Sequence, residues 1–302
     1  MELRHLRYFV AVVQEGQFVR AAARLHVAQS ALSQQIRDLE RELGTGLLVR
    51  DRRGVALTPA GEVLLDHAQR LLDQADAARA EIAQLTGLVA GRLRLGTGTP
   101  TGPVALGAIL AELQRRHPLV QIVLRDTTTA ELIQWLEEDT IDVGLISIDA
   151  RQLPERLEGT LVAHEPVVVL VPADHRLAGR RRLALPQLSA ERLVTFPRGS
   201  GMRGIIEAGF RTARVPVPQV TAETNDPLTI VELLVHGLGI TLAPESFAAL
   251  VDERVRAVPL ARPGLTRSLS VAWARRRRSL PALDAFLAVA AETPLLDPAL
   301  TA

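Results

Sequence analysis

The sequence of 302 residues contains no cysteine. Disulfides, thiolate metal centres and thiol-based redox sensing are excluded with it. Lysine is missing as well. All 35 basic residues are arginine, which reads as the codon bias of a GC-rich bacterial genome and is assigned no mechanism. No stretch approaches the ~18 consecutive apolar residues of a membrane span. The opening MELRHLRYFVAVVQEGQF is broken by charges and carries no small-residue cleavage site after an apolar run, so the expected location is the cytoplasm.

Enzyme signatures are missing too. The seven histidines are scattered singly, without ligand spacing, and no metal or cofactor is expected. His164-Glu165 lacks the second histidine of a zinc protease. GTGTPTG at 96–102 is one residue too long for a dinucleotide fingerprint, and RGSGM at 198–202 fails the nucleophile-elbow pattern at its first glycine. There is no P-loop. The run Arg275–Arg278 follows an expected core strand and reads as a solvated edge.

What is present is enough apolar material, 47% of the chain, to bury large cores. The length suits about two domains at roughly 150 residues each. A net charge of +1 hides a local imbalance. Residues 1–58 hold nine arginines against six acidic residues, whereas 59–88 hold two against five. A nucleic-acid partner would therefore dock at the N-terminal end.

Residues 2–14 place Leu3, Leu6, Phe9, Val10 and Val13 on one helical stripe ended by Gly16. FVRAAARL is a short second helix, HVAQ a tight turn, and the stretch VAQSALSQQIRDLERELG at 27–44 reads as the third helix, closed by Gly44. LLVRDRRGVALT forms a small hairpin around Arg-Arg-Gly. These elements make a unit of 1–58. Thr58-Pro59 then starts a long helix, with a side-chain oxygen at the N-cap and proline at the first helical position. It runs to about Leu88. Leu64, Ala68, Leu71, Ala75, Ala78, Ile82 and Leu85 alternate at steps of four and three, a seam that a second copy of the helix would bury. Packing onto its own C-terminal domain is the other solution.

From Gly91 strands alternate with helices, which implies mostly parallel sheets covered on both faces. Strands are expected at 92–98, 121–126, 141–147, 166–172, 193–196, 219–223, 239–244, 255–260 and 268–273. Helices are expected at 103–117, 129–138, 201–213, 227–237 and 281–292. About 210 residues exceed one sheet, so 89–302 is read as two α/β subdomains. Subdomain I takes about 89–160 and 266–302, and subdomain II about 161–265.

A short helix, a tight turn and a second helix form a helix-turn-helix, which sets the start of the second helix against base edges. Its flank carries Gln29, Ser30, Ser33, Gln34 and Arg37, with no acidic residue between Gln29 and Arg37. Amides can bond adenine bidentately, hydroxyls can bond bases or phosphates, and Arg37, Arg50, Arg52 and Arg53 supply charge. A solvated face of an ordinary bundle is the plain alternative. Residues 3–61 resemble the N-terminal domain of LysR-type transcriptional regulators. The likeness rests on the run Q-S-A-L-S-x-x-I-x-x-L-E-x-x-L-G at 29–44, the paired alanines before it, and the wing R-x-x-x-G-V-x-L-T-x-A-G at 50–61. Gln17-Phe18-Val19 stands where Ser-Phe-Thr is usual, Ala28 where Ser is frequent, and Leu48 where Phe is commoner.

The resemblance implies a winged helix-turn-helix (1–58), a long dimerising linker helix (59–88) and a periplasmic-binding-protein-like effector domain (89–302). It also implies a homotetramer, built as a dimer of dimers on double-stranded promoter DNA, that answers to a small-molecule effector. DNA contact is then expected at Phe18, Arg20, Gln29, Ser30, Ser33, Gln34, Arg37, Arg50, Arg52 and Arg53. Effector contact is carried by similarity onto Thr99, Thr128, Ser200, Met202 and Arg203, with Asn225 added as a looser assignment. Thr99, Thr128 and Ser200 could instead cap helices, and Arg203 could be a surface cation. If Arg203 faces the cleft, an anionic effector follows. The competing function class is a solute-binding or enzymatic α/β protein whose N-terminal bundle only makes protein contacts.

Overall fold

The computed structural model describes residues 1–51, 54–84, 89–98, 105–251, 253–275 and 280–293. They fall into two compact units, Met1–Gly87 and Leu88–Ala302.

In the first unit α1 (Leu3–Glu15), α2 (Phe18–Leu25) and α3 (Gln29–Leu43) enclose a core of Leu6, Phe9, Val12, Phe18, Ala21, Leu32, Ile36 and Leu39. Left-handed residues end all three helices: Gly16 (φ +65°), His26 (φ +54°) and Gly44 (φ +69°). Neither Gln17 nor Ala28 supplies a side-chain cap to the helix it precedes. The hairpin β1 (Leu48–Asp51) and β2 (Gly54–Leu57) is antiparallel, with Leu48 opposite Leu57. It is tied back at both ends. Val55 N–H donates to Gly16 O at 2.9 Å, and the Glu40 carboxylate accepts from Leu47 N–H (2.9 Å) and Leu48 N–H (3.3 Å).

The long helix α4 (Pro59–Gln84) starts as its sequence requires: Thr58 Oγ1 accepts from Gly61 N–H at 3.0 Å. A Cβ at Gly61 would stand 2.1 Å from Leu47 O, so only glycine lets the helix start lie against that strand end. The first turns of α4 belong to the core of this unit. Ala68 is fully buried there and Leu64 packs against it. These two residues of the expected seam therefore serve the head itself. Farther on, Leu71 and Ile82 are exposed, Ala75 is half-buried and Ala78 exposed. Leu85 lies outside the described residues.

The second unit opens with β3 (Ala90–Thr97), α5 (Leu106–Arg116), β4 (Leu119–Asp126), α6 (Thr129–Glu137) and β5 (Val143–Ile146). Next come β6 (Leu157–Pro172), β7 (Arg192–Thr195), α7 (Gly201–Thr212), β8 (Gln219–Glu223), α8 (Pro227–Val235) and β9 (Thr241–Pro244). It closes with β10 (Val255–Pro259), β11 (Thr266–Ala274) and α9 (Pro281–Glu292). One sheet has the order β10-β6-β11-β5-β3-β4, with β9 also on β6; β7 and β8 form a separate parallel pair.

The expectation of mostly parallel sheets is corrected. Only the β3–β4 and β3–β5 pairs of the large sheet are parallel, while β6 pairs antiparallel with β9, β10 and β11. The reason is β6, which spans both lobes. Its first half pairs with β11 as far as Pro166, and its second half pairs with β9 and β10 from Val167 on. The chain passes between lobes within this strand, at Pro166–Val167, and returns beside it, where Val167 N–H donates to Leu265 O at 2.9 Å. Each lobe has its own core. Leu93, Leu113, Val143, Leu269 and Phe286 fill the first; Val169, Phe196, Ile206, Phe210, Leu242 and Phe247 fill the second.

Candidate nucleic-acid interface and ligand cleft

The faces of α3 are separated by periodicity. Leu32, Ile36 and Leu39 are wholly buried, and Gln29, Ser30, Gln34 and Arg37 are exposed at the start and on the far side of the helix. Arg20 is exposed on α2. Two expected contact residues are buried. Phe18 is 6% exposed within the core of the head, and Ser33 is 7% exposed, turned inward on the flank of the stripe, three residues before Ile36. Of Arg50 only the backbone, in β1, is described; Arg52 and Arg53 lie outside the described residues.

The exposed face is internally bonded. Arg37 Nη2 donates to Gln34 Oε1 at 2.7 Å, Gln34 Nε2 donates to Asp38 Oδ1 at 2.9 Å, and Arg41 Nη1 donates to the same Asp38 oxygen at 2.8 Å. The flank free of acidic residues runs from Gln29 to Arg37 and ends at Asp38.

In the second unit the carboxyl ends of β3, β4 and β5 in one lobe lie near the turn after β7 in the other. Ala130 N–H donates to Gly199 O at 3.1 Å, and Gly201 N–H donates to Thr129 Oγ1 at 3.2 Å. Glycine is required here: a Cβ on Gly201 would stand 2.4 Å from Ser147 O, and Gly199 has φ +86°. Thr129 and Ser147 thus join the expected cleft residues. The signal for Thr129 is the triple threonine Thr127–Thr129 at the end of β4; Ser147 carries no such signal.

Thr128 is the N-cap of α6, accepting from Glu131 N–H at 3.3 Å and donating to the Glu131 carboxylate at 2.9 Å. Thr127 donates to the same carboxylate, and Thr97 donates to Asp126. These hydroxyl protons are committed to carboxylates, so lone pairs are what the threonines have left to offer. Hydrogen bonds from Thr127 and Thr128 hold Glu131 below the usual carboxylate range.

Across the cleft, Ser200 precedes α7 as its N-cap residue and is buried. Met202, assigned by similarity to the effector, is 1% exposed within the lobe core that also holds Phe196 and Ile206. Arg203 is buried rather than an open cation. Its Nε donates to Glu207 at 2.5 Å, and its Nη1 donates to Glu223 at 2.8 Å and Phe196 O at 3.1 Å. Burial alone would lower its pKa; the two carboxylates outweigh that and raise it. Asn225 Oδ1 and Thr195 Oγ1 are buried without a protein partner. Thr99 lies outside the described residues. Among the described residues no group of three or more acidic or histidine side chains could hold a metal, and no helix is long and apolar enough to cross a membrane.

Comparisons with known proteins match both units. Residues 3–62 match the bacterial regulatory helix-turn-helix proteins of the lysR family, and residues 86–294 match the LysR substrate binding domain. The chain is 37% identical over 290 residues to the HTH-type transcriptional regulator YnfL of Escherichia coli (strain K12), covering 95% of this chain and 96% of that protein. It is 35% identical to the Hca operon transcriptional activator HcaR of the same strain, covering 97% and 98%. The crystal structure of CbnR, a LysR family transcriptional regulator, superposes with a TM-score of 0.73 at 26% identity, covering 97% of this chain and 99% of that one; CbnR complexed with its target DNA gives the same score. With both units matched along nearly their whole length, the chain belongs to the LysR family and is a LysR-type transcriptional regulator, not an enzyme.

Proposed function

We propose that this regulator reads operator DNA with Gln29, Ser30, Gln34 and Arg37 of α3, helped by Arg20 and the arginines of the hairpin. The observation that carries this reading is the split of α3 into a sealed apolar stripe and an exposed face of amides, a hydroxyl and a guanidinium. CbnR has been solved with its target DNA, and the likeness spans this head. Two chains pair along α4 from Leu71 onward and assemble as a dimer of dimers on promoter DNA in the cytoplasm.

The effector sits where the strand ends of the two lobes meet, against Thr128, Thr129, Ser200 and Asn225. An anionic effector calls for Arg203 as an open cation. With Glu207 and Glu223 on that guanidinium, the cluster sums to one negative charge. A ligand that is neutral or cationic and brings hydrogen-bond donors fits the remaining lone pairs better. Its preference for one lobe arrangement shifts the spacing of the DNA-binding heads, by no more than its differential affinity allows.

Footprinting of the upstream region of its own gene tests this. Protection should weaken steeply as salt rises, because phosphate contacts release counterions. Absence of a salt-sensitive footprint on duplex DNA removes the proposal. Footprints unchanged by effectors that demonstrably bind remove only the switching mechanism.

A further inference from the structure

We infer that Asp38 is a positioning residue that locks the Gln34 amide in the polarity that reads adenine. The inference rests on the proposal that this face of α3 enters the major groove. Gln34, Arg37, Asp38 and Arg41 follow one another at i, i+3, i+4 and i+7, so they share one helix face. That face lies opposite the stripe of Leu32, Ile36 and Leu39.

A glutamine amide on a surface ordinarily turns over freely, offering either end to a partner. Here its two neighbours have opposite chemistry. Asp38 can only accept, so the Gln34 nitrogen must face it, at 2.9 Å. Arg37 can only donate, so the Gln34 oxygen must face it, at 2.7 Å. Turning the amide over would set oxygen against carboxylate and N–H against guanidinium, losing both bonds. Arg41, donating at 2.8 Å, in turn holds the Asp38 carboxylate.

An amide has two N–H donors and two acceptor lone pairs. One of each is used within the helix, which leaves one donor and one acceptor. Adenine presents the complement in the major groove, the N7 acceptor and the N6 donor. Guanine presents two acceptors, N7 and O6. A free amide can give guanine two donors; the locked one sets its oxygen against O6. Asp38 thus creates discrimination at a base it never touches, and it explains an acidic residue on a face meant for DNA. Its charge is paired with Arg41, which donates to the carboxylate at 2.8 Å.

The test is binding-site selection from randomised duplex DNA with the full-length protein, followed by competition binding of the selected site against its adenine-to-guanine variants. Wild type should prefer adenine at one half-site position by about tenfold, the scale of one bidentate contact. Gln34→Ala should abolish that preference. Asp38→Ala should cut it to about twofold, while Asp38→Asn, which keeps an acceptor oxygen and drops the charge, should retain most of it. Both Asp38 variants should bind all sequences somewhat tighter, because a negative charge near phosphates is gone. The inference is overturned if Asp38→Ala keeps the wild-type ratio, if Asp38→Asn loses it as completely as Asp38→Ala, or if no selected adenine depends on Gln34. Failure of the wild type to select any sequence would instead strike the DNA-reading proposal. Asp38→Asn serves as the folded comparison should Asp38→Ala weaken α3.

Discussion

Glu165 and Arg267 face each other as register partners of β6 and β11, one residue short of the point where the chain passes between the lobes. Arg267 is wholly buried, and its Nε and Nη2 donate to Glu165 Oε1 at 3.0 and 2.5 Å. The second Glu165 oxygen accepts from Ser246 N–H of the other lobe at 3.0 Å. Burial pulls the Arg267 pKa down, and Glu165 opposes that. Losing the carboxylate leaves a desolvated cation. Glu165→Gln should therefore cost about 3–5 kcal/mol, while the double change Glu165→Leu with Arg267→Met should cost far less. Both tryptophans, Trp135 and Trp273, lie in this unit, so urea unfolding followed by fluorescence reports on it. A Glu165→Gln midpoint equal to wild type would show that the pair is not a buried constraint.

Among the described glycines of the head Gly61 is the most closely packed, with its would-be Cβ 2.1 Å from the Leu47 carbonyl oxygen. Gly61→Ala must push the start of α4 away from the hairpin and should destabilise the head by about 1–3 kcal/mol, as overpacking does. Gly107→Ala, on a helix with open space at that position, should be neutral or stabilising by about 0.5–1 kcal/mol. Thermal unfolding of the two variants side by side measures the contrast, and equal melting temperatures would refute it.

The division of the α4 stripe predicts two different failures. Ala68→Glu inserts a charge into a fully buried site and should unfold the head. Leu71→Glu combined with Ile82→Glu falls on exposed positions, 44% and 66% accessible. It should leave the helix content intact and lower the oligomeric mass. Sedimentation with circular dichroism separates the two, and an unchanged mass for the double variant would move the self-association surface elsewhere.

Glu131 holds two threonines of the cleft, and its pKa is lowered in the fold from an ordinary 4.5, chiefly by the Thr127 hydroxyl and then by Thr128. A group whose folded pKa is depressed stabilises above its unfolded pKa, and that contribution is lost as pH falls through the folded value. The stability difference between wild type and Glu131→Gln should thus be present at neutral pH and shrink as the pH drops below about 4.5. Denaturation of both proteins at matched pH values checks the sign. A difference that grows on acidification would contradict the hydrogen-bond assignment.

Much of the fold was legible in the chain because its signals are local. Gly16 and Gly44 stop α1 and α3 where the apolar stripes end, and Thr58 caps α4 beside its first proline. The first half of β6 escaped notice. In LEGTLVAHE a glycine, a threonine and a histidine blur the alternation, and pairing with β11 about a hundred residues later supplies the order that propensity does not. The same distance hid the antiparallel pairings. Leu64 and Ala68 continue the heptad seam without a break, since the core of the head and a partner helix ask for the same residue types.

Most element spans, the helix ends, the apolar stripe of α3 and kinship to one family of regulators followed from residue order alone, because periodicity, caps and motif spacing are properties of neighbouring residues. Whether a polar side chain remains open for a partner was decided only by the folded chain. Arg203 meets Glu223 from a strand twenty positions on, Phe18 and Ser33 turn inward, and the Thr128 hydroxyl donates its hydrogen bond to Glu131. Desolvation and pairing depend on groups that folding brings in from afar, and no local pattern records them.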